Sequence, residues 1–140
     1  MASDLFPDTI LIRPDILSRL DFAVLFGNTA PVELELGAGD GSFLLQYSAA
    51  HPEVNFLGVE RLFGRLRKID RKGRRQGLKN LRGLRMEAPY LMDWMIAPAS
   101  LSAIHVYFPD PWPKKRHHRR RLINPAFAAL AAQSLRPGGR

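Results

Sequence analysis

The sequence has no cysteine, which excludes disulfide bridges and thiolate metal sites. It also lacks long apolar runs: nothing approaches the roughly 20 residues needed to span a bilayer. The N-terminal stretch Met1-Ala2-Ser3-Asp4-Leu5-Phe6-Pro7-Asp8 is acidic and broken by proline, unlike a secretory signal. There is no internal repeat and no low-complexity linker, and no acid follows Asp110. These absences lead to the expectation of a soluble cytoplasmic protein with no membrane association.

What is present suits one globular domain with a real core: 140 residues, 46% of them apolar. Lys and Arg total 21 against 13 Asp and Glu, for a formal net charge of +8. Eleven of the basic residues lie between Arg61 and Arg85, where Asp70 is the only acid, and six more lie in Lys114–Arg121. The acids gather in the first half and at expected strand ends. Basic stretches beside acidic pockets suit a polyanionic partner together with a small cationic ligand. A basic surface that serves only solubility is the competing reading.

Periodicity divides the chain into an irregular lead-in, residues 1–30, and a domain over residues 31–140. The lead-in carries one short amphipathic helix near Asp15–Leu25, closed by Gly27-Asn28. Val32–Leu36 reads as a strand that runs into Gly37-Ala38-Gly39-Asp40-Gly41. A helix follows, with Phe43, Leu44 and Tyr47 at helical spacing, and ends near His51-Pro52. Asn55–Val59 is a second strand. The next helix carries Leu62, Leu66 and Ile69 on one face, and Gly77 is a suitable terminator. Leu81–Met86 and Ser102–Phe108 read as two further strands, with a short helix over Tyr90–Ile96 between them. Asn124 (N-cap) and Pro125 (first helical position) open a last helix expected to bury Phe127, Leu130 and Leu135. Strands alternating with helices imply a parallel sheet with helices on both faces, whose ligands bind outside the carboxyl ends of the strands. Gly37–Gly41, Glu60, Glu87 and Asp110 all fall at such ends.

The order strand, glycine-rich loop, helix is that of nucleotide-like ligand sites. Gly37 permits a sharp exit from the strand, and Gly39 lets the backbone approach a ligand closely. A dinucleotide fingerprint wants glycine at position 42, where this chain has Ser42. Asp40 at the helix N-terminus would repel a pyrophosphate and welcome a cation. S-adenosylmethionine offers an ammonium, a sulfonium and a ribose diol but no phosphate. Glu35, Asp40 and Asp110 suit its positive groups. Glu60, 23 residues after Gly37, suits the two ribose hydroxyls. A tight turn with surface acids stays open as the plainer alternative.

The run Tyr107-Phe-Pro-Asp-Pro-Trp-Pro-Lys-Lys-Arg-His-His-Arg-Arg-Arg121 is unusual in itself. Pro109, Pro111 and Pro113 fix three φ angles around Asp110 and Trp112, and an uninterrupted basic strip follows. A rigid acid, an aromatic ring and a cationic strip suit a base held in a pocket while its phosphates are gripped outside. Trp112 could stack on that base or cap the sheet edge. His117 and His118 are adjacent, point apart and are expected to hold no metal. His105 is expected to be a packed core histidine, and Trp94, with Met92 and Met95, to be core.

This run closely resembles that of the bacterial tRNA (guanine-N7)-methyltransferase family. The resemblance covers residues 22–140. It includes Leu25-Phe26-Gly27-Asn28, Glu35-Leu36-Gly37-Ala38-Gly39-Asp40-Gly41, Phe56-Leu57-Gly58-Val59-Glu60 and Leu78-Lys79-Asn80-Leu81-Arg82. It continues through Phe108–His117 and Leu135-Arg136-Pro137-Gly138-Gly139. It implies an α/β fold, a Rossmann-like class I methyltransferase sheet with helices on both faces. It also implies transfer of a methyl group from S-adenosylmethionine to N7 of a guanine in the variable loop of tRNA. By matching position, Glu35, Gly37, Gly39, Gly41, Glu60, Glu87 and Asp110 are the expected cofactor residues. Asp110 is the expected catalytic one, and Lys114, Arg116 and His117 the RNA contacts. Glu87 stands where the family usually has Asp or Asn.

Family members continue past the Pro-Gly-Gly turn into further strands and a Thr-Asp-containing substrate site. The resemblance therefore implies a chain truncated at its C-terminus, with the last strands of the sheet missing and no activity by itself. The Ser102–Phe108 strand, with Ile104, Val106 and Phe108, would be left without its next neighbour. Two other function classes stay open beside tRNA methylation: a small-molecule methyltransferase, against which the basic segments argue, and a non-catalytic RNA-binding remnant.

Overall fold

A computed structural model describes residues 10–107 and 123–140. The elements are β1 (Leu11–Ile12), α1 (Phe22–Phe26), β2 (Val32–Leu36), α2 (Ser42–Ala50), β3 (Asn55–Glu60) and α3 (Phe63–Arg75). They continue with β4 (Leu81–Arg85), α4 (Ala88–Tyr90), a π-type turn (Leu91–Met95), β5 (Ala103–His105) and α5 (Pro125–Ser134). The strands form one parallel sheet in the order β1-β4-β3-β2-β5. From β2 the chain winds outward through β3 to β4, then returns to the other side of β2 as β5. The topological switch point therefore lies at the carboxyl end of β2, where ligands enter such sheets.

Each face of the sheet buries its own apolar layer. Val32, Leu34, Leu36, Leu57, Val59 and Leu84 pack against Leu25 and Phe26 of α1 and Leu91, Met92 and Met95 of the π turn. On the opposite face Phe56 and Leu81 meet Leu44 and Leu45 of α2 and Ile69 of α3. Alternation along β2 turns Glu33 and Glu35 toward this second layer. Gly58 lies there too, and a Cβ at that position would collide with Leu44.

Local chemistry sets the ends of the elements as the sequence suggests in two places. Asn124 Oδ1 accepts a hydrogen bond from Phe127 N at 2.8 Å, with Pro125 at the first helical position. After α3, Gly77 N donates to Arg74 O and Leu78 N to Gly73 O, both at 3.0 Å, with Gly77 at φ +70°. That is the paired-bond helix terminus that glycine favours.

Elsewhere the structure departs from the sequence reading. The lead-in helix is only Phe22–Phe26, because Asp21 caps it through Val24 N. The sheet has a fifth strand, β1, too short for periodicity to reveal. It is secured by buried Asp70 of α3, whose Oδ1 accepts from Ile10 N at 2.7 Å. Leu66 and Ile69 are buried as expected, whereas Leu62 precedes the helix and is exposed. Trp94 is 52% exposed, since the wider π turn faces Leu91, Met92 and Met95 inward and leaves Trp94 outside.

In α5, Phe127, Leu130 and Leu135 are only half-buried, and Ser134 is the buried residue. Main-chain bonds from Ser100 N and Leu101 N to Ser134 O, at 2.9 and 3.0 Å, draw that end of the helix inward. The outer edge of β5 is not bare either. Arg140 N donates to Ser102 O at 3.2 Å, and Ile104 N donates to Arg140 O at 2.7 Å. The expected strand is confined to Ala103–His105 within the described residues, and Phe108 lies outside them.

Two polar side chains act as long-range ties. Arg82 is drawn under α1, donating from Nε to Leu25 O at 3.0 Å. Buried Asn80 donates from Nδ2 to Ser48 O, His51 O and Val54 O at 3.0, 2.9 and 2.8 Å, closing the turn between α2 and β3. Asn80→Ala should lower unfolding stability by about 1–3 kcal/mol, because it leaves buried carbonyls unpaired. Urea unfolding checks this, and an unchanged midpoint would mean that water takes over the carbonyls.

Candidate cofactor site

The site is built where β2 and β3 end. The Gly37–Gly41 loop leaves β2 with Gly37, Gly39 and Gly41 at φ +74°, +61° and +81°, values that side chains strongly disfavour. Gly37 N and Ala38 N both donate to Val59 O, at 2.8 and 3.0 Å, so the loop is stitched to the end of β3. Glu60, the last residue of β3, completes the tie. Its Oε1 accepts from Gly39 N at 3.2 Å and its Oε2 from Leu62 N at 2.8 Å. Arg65 Nη1 stands 3.7 Å from the same carboxylate.

Asp40 and Glu35 are two acids in opposite states. Asp40 is exposed at the start of α2, and its Oδ1 accepts from Ser42 N at 2.9 Å and Ser42 Oγ at 2.8 Å. Those bonds, main-chain first, hold its carboxyl below the usual range. Glu35 is fully buried, and neither of its carboxylate oxygens has a hydrogen-bond partner among the described residues. Its register neighbours explain this: Gly58 on β3 has no side chain, and His105 on β5 is engaged elsewhere. Burial, with a smaller contribution from the charge of Asp40, raises its pKa from 4.5 to about 8.

Beside Glu35 lies a feature that sequence reasoning missed. His105 Nε2 is 2.6 Å from Glu33 Oε1, and His105 Nδ1 is 2.7 Å from Tyr107 Oη. The imidazole packs at a tilt on Phe43, 4.7 Å between ring centres, and Tyr107 packs on the same ring at 4.8 Å. His105 is thus a half-buried, hydrogen-bonded member of an aromatic group, not an isolated core histidine. The period-two spacing of Glu33 and Glu35 on one strand face was the available signal.

Of the other expected site residues, Glu87 is exposed just before α4, with Arg61 Nη1 3.9 Å from its Oε2. Asp110, Trp112, Lys114, Arg116 and His117 lie outside the described residues. Among the described residues, no group of three or more His, Asp and Glu side chains is arranged to hold a metal ion, and no helix is long and apolar enough to cross a membrane.

A parallel sheet with its switch point at a glycine loop, and acids ending successive strands, defines a Rossmann-like class I methyltransferase fold. The chain matches the family described as "Putative methyltransferase" over residues 29–140 and belongs to it. A curated relative from Bordetella pertussis, named tRNA (guanine-N(7)-)-methyltransferase, is 47% identical over 120 residues, covering 86% of this chain and 47% of its own. The chain thus spans about half the length of the curated relatives it matches.

Among solved structures, the 30S ribosomal A1408 methyltransferase from an uncultured bacterium superposes with a TM-score of 0.64 at 16% identity. That match covers 91% of this chain and 59% of the other. Haemonchus contortus phosphoethanolamine N-methyltransferase 2, in complex with S-adenosyl-L-methionine, gives 0.58 at 15% identity, covering 79% of this chain and 23% of its own.

The raised pKa of Glu35 has a consequence for stability. Between about 4.5 and about 8 the folded chain holds a proton that the unfolded chain releases, so stability falls as pH rises through that window. The loss should be roughly 3–5 kcal/mol in the ligand-free protein, and Glu35→Gln should abolish most of it. Denaturant unfolding at pH 5 and pH 8.5 makes the comparison. Equal pH dependence in both proteins would show that Glu35 has found a partner in solution.

Proposed function

We propose that this chain provides the cofactor site and the catalytic acid, Asp110, for transfer of a methyl group from S-adenosylmethionine to N7 of a guanine in tRNA. One observation carries the cofactor assignment: the buried carboxyl of Glu35 at the switch point, without a hydrogen-bond partner among the described residues, which suits a cation and opposes a phosphate. Exposed Asp40, kept ionised at the start of α2, adds a second anionic group on the same side. The relative's name supports tRNA as substrate, and the solved neighbour in complex with S-adenosyl-L-methionine supports the donor.

When bound, S-adenosylmethionine supplies a methyl group activated by its positive sulfur. The residues of this chain then have distinct tasks. Glu35 meets a positive group of the donor. The glycines at 37, 39 and 41 allow close approach of the loop backbone to the donor. Each oxygen of Glu60 accepts one main-chain bond and has a lone pair left for a ribose hydroxyl. Glu87 serves the adenine side. Guanine N7 carries an in-plane lone pair and no proton, so no residue has to remove one. Catalysis then rests on in-line positioning and electrostatics. Asp110 receives the N1–H and N2–H edge of the guanine and offsets the charge of the cationic product. Lys114, Arg116 and His117 hold RNA phosphates. The same reading places the protein in the cytoplasm with its substrate.

Calorimetry should detect S-adenosylmethionine binding, and Glu60→Ala should weaken it by about 1–3 kcal/mol through lost charge-assisted bonds. Mass spectrometry of nuclease-digested tRNA, after incubation with donor and a chain extended to the length of its curated relatives, should reveal 7-methylguanosine. Asp110→Ala should lower its yield far more than it lowers donor affinity. Methylation at another atom, or only of small molecules, would contradict the assignment.

A further inference from the structure

A groove of about 800 Å³ lies at the opposite edge of the sheet from β5, between α3, β4 and the segment around β1. It shares no residue with Glu35, the Gly37–Gly41 loop or Glu60. Six basic residues line it: Arg67, Lys68, Arg71 and Arg74 from α3, Arg13 after β1 and Arg85 at the end of β4. The one acid among its lining residues is Asp70, and that charge is already committed. Asp70 is buried, accepts from Ile10 N, and takes Arg74 Nε and Nη2 at 3.0 Å each.

Arg67, Lys68, Arg71 and Arg85 stand beside that one acid among the described lining residues, so the groove carries a field suited to a polyanion. Arg67, Arg71 and Arg74 recur at spacings of four and three residues, which aligns them along one face of α3 over roughly 10 Å. The ring of Phe63, half open to solvent, has Arg67 Cζ 5.9 Å and Arg85 Cζ 5.8 Å from its centre. Basic groups in a row beside an exposed aromatic ring form the pattern that holds a nucleic-acid backbone and offers a surface to a base.

We infer that this groove is a second RNA-binding surface, one that grips phosphates of the same tRNA at a distance from the methylated guanine. The inference rests on tRNA being the substrate. The groove opens at the same end of the sheet as the cofactor site, since Arg13 follows β1, Arg85 closes β4 and Phe63 begins α3. Four strand spacings of about 4.8 Å separate β1 from β5, roughly 19 Å in all. A folded RNA that reaches from the groove to the cofactor site can span that distance across the carboxyl ends of the strands. The groove thus orients the RNA body, away from the guanine that is methylated.

The test measures binding of an unmodified tRNA transcript over a series of salt concentrations, for the wild type and for an Arg67→Ala, Arg71→Ala double variant. Both side chains are exposed, so the variant should fold and bind S-adenosylmethionine as the wild type does by calorimetry. Transcript affinity should fall about tenfold, and the slope of log affinity against log salt should flatten by about 1.5, for two lost phosphate contacts. An Arg67→Lys, Arg71→Lys variant should recover most of the loss. If the wild type binds the transcript and the double variant matches it in affinity and slope, the groove is not an RNA surface while the tRNA assignment stands. A wild type that binds S-adenosylmethionine but no transcript would overturn both.

Discussion

The two oxygens of Glu60 tie the loop after β2, 21 residues away in sequence, to the junction of β3 and α3. One oxygen accepts from Gly39 in the loop after β2, and the other from Leu62 at the entrance to α3, while the residue itself ends β3. Together with the bonds from Gly37 and Ala38 to Val59 O, this holds a loop whose glycines all sit at positive φ. Unheld, such a loop would sample many conformations, because glycine loses more freedom on folding than any other residue. The acid proposed for the ligand diol is thus also the acid that shapes the glycine loop. On that proposal, binding and preorganisation are coupled through one side chain.

Around that clamp the acids divide by environment. Glu33 faces His105 at 2.6 Å, Asp40 is satisfied by Ser42, and Glu60 by main-chain N–H groups. Glu35 alone of these four is buried without a partner among the described residues. The cost of burying a bare carboxylate keeps it protonated near neutral pH until a cation arrives. A ligand-binding site commonly concentrates an unmet electrostatic demand of this kind.

Much of this arrangement is legible in the residues. The strand, glycine loop and helix of Val32–Ala50 follow from local chemistry alone, as does the start of α5 at Asn124-Pro125. What resisted reading depends on distant contacts. Strand β1 has two residues and owes its place to Asp70, 60 positions away from Ile10. The π turn that exposes Trp94 cannot be told from an ordinary helical turn by apolar spacing. Glu35 is visible as an acid near a strand end, but its isolation is not. That isolation requires the parallel register that sets it beside Gly58, and the side-chain pairing that diverts His105 to Glu33. The basic run of α3 suggests a polyanionic partner in the sequence, but the groove itself exists only because β1 closes one side of it.

The central claim is that Glu35 is the vacant partner for a cationic group of S-adenosylmethionine. Its most direct test is calorimetry of donor binding at pH 7 in buffers of different ionisation enthalpy. A carboxyl that titrates near 8 when free is mostly protonated at pH 7, and a bound cation lowers its pKa. Binding should therefore release close to one proton in the wild type and almost none in Glu35→Gln, whose affinity should also fall. Donor binding with no proton release, at equal affinity in both proteins, would contradict the account.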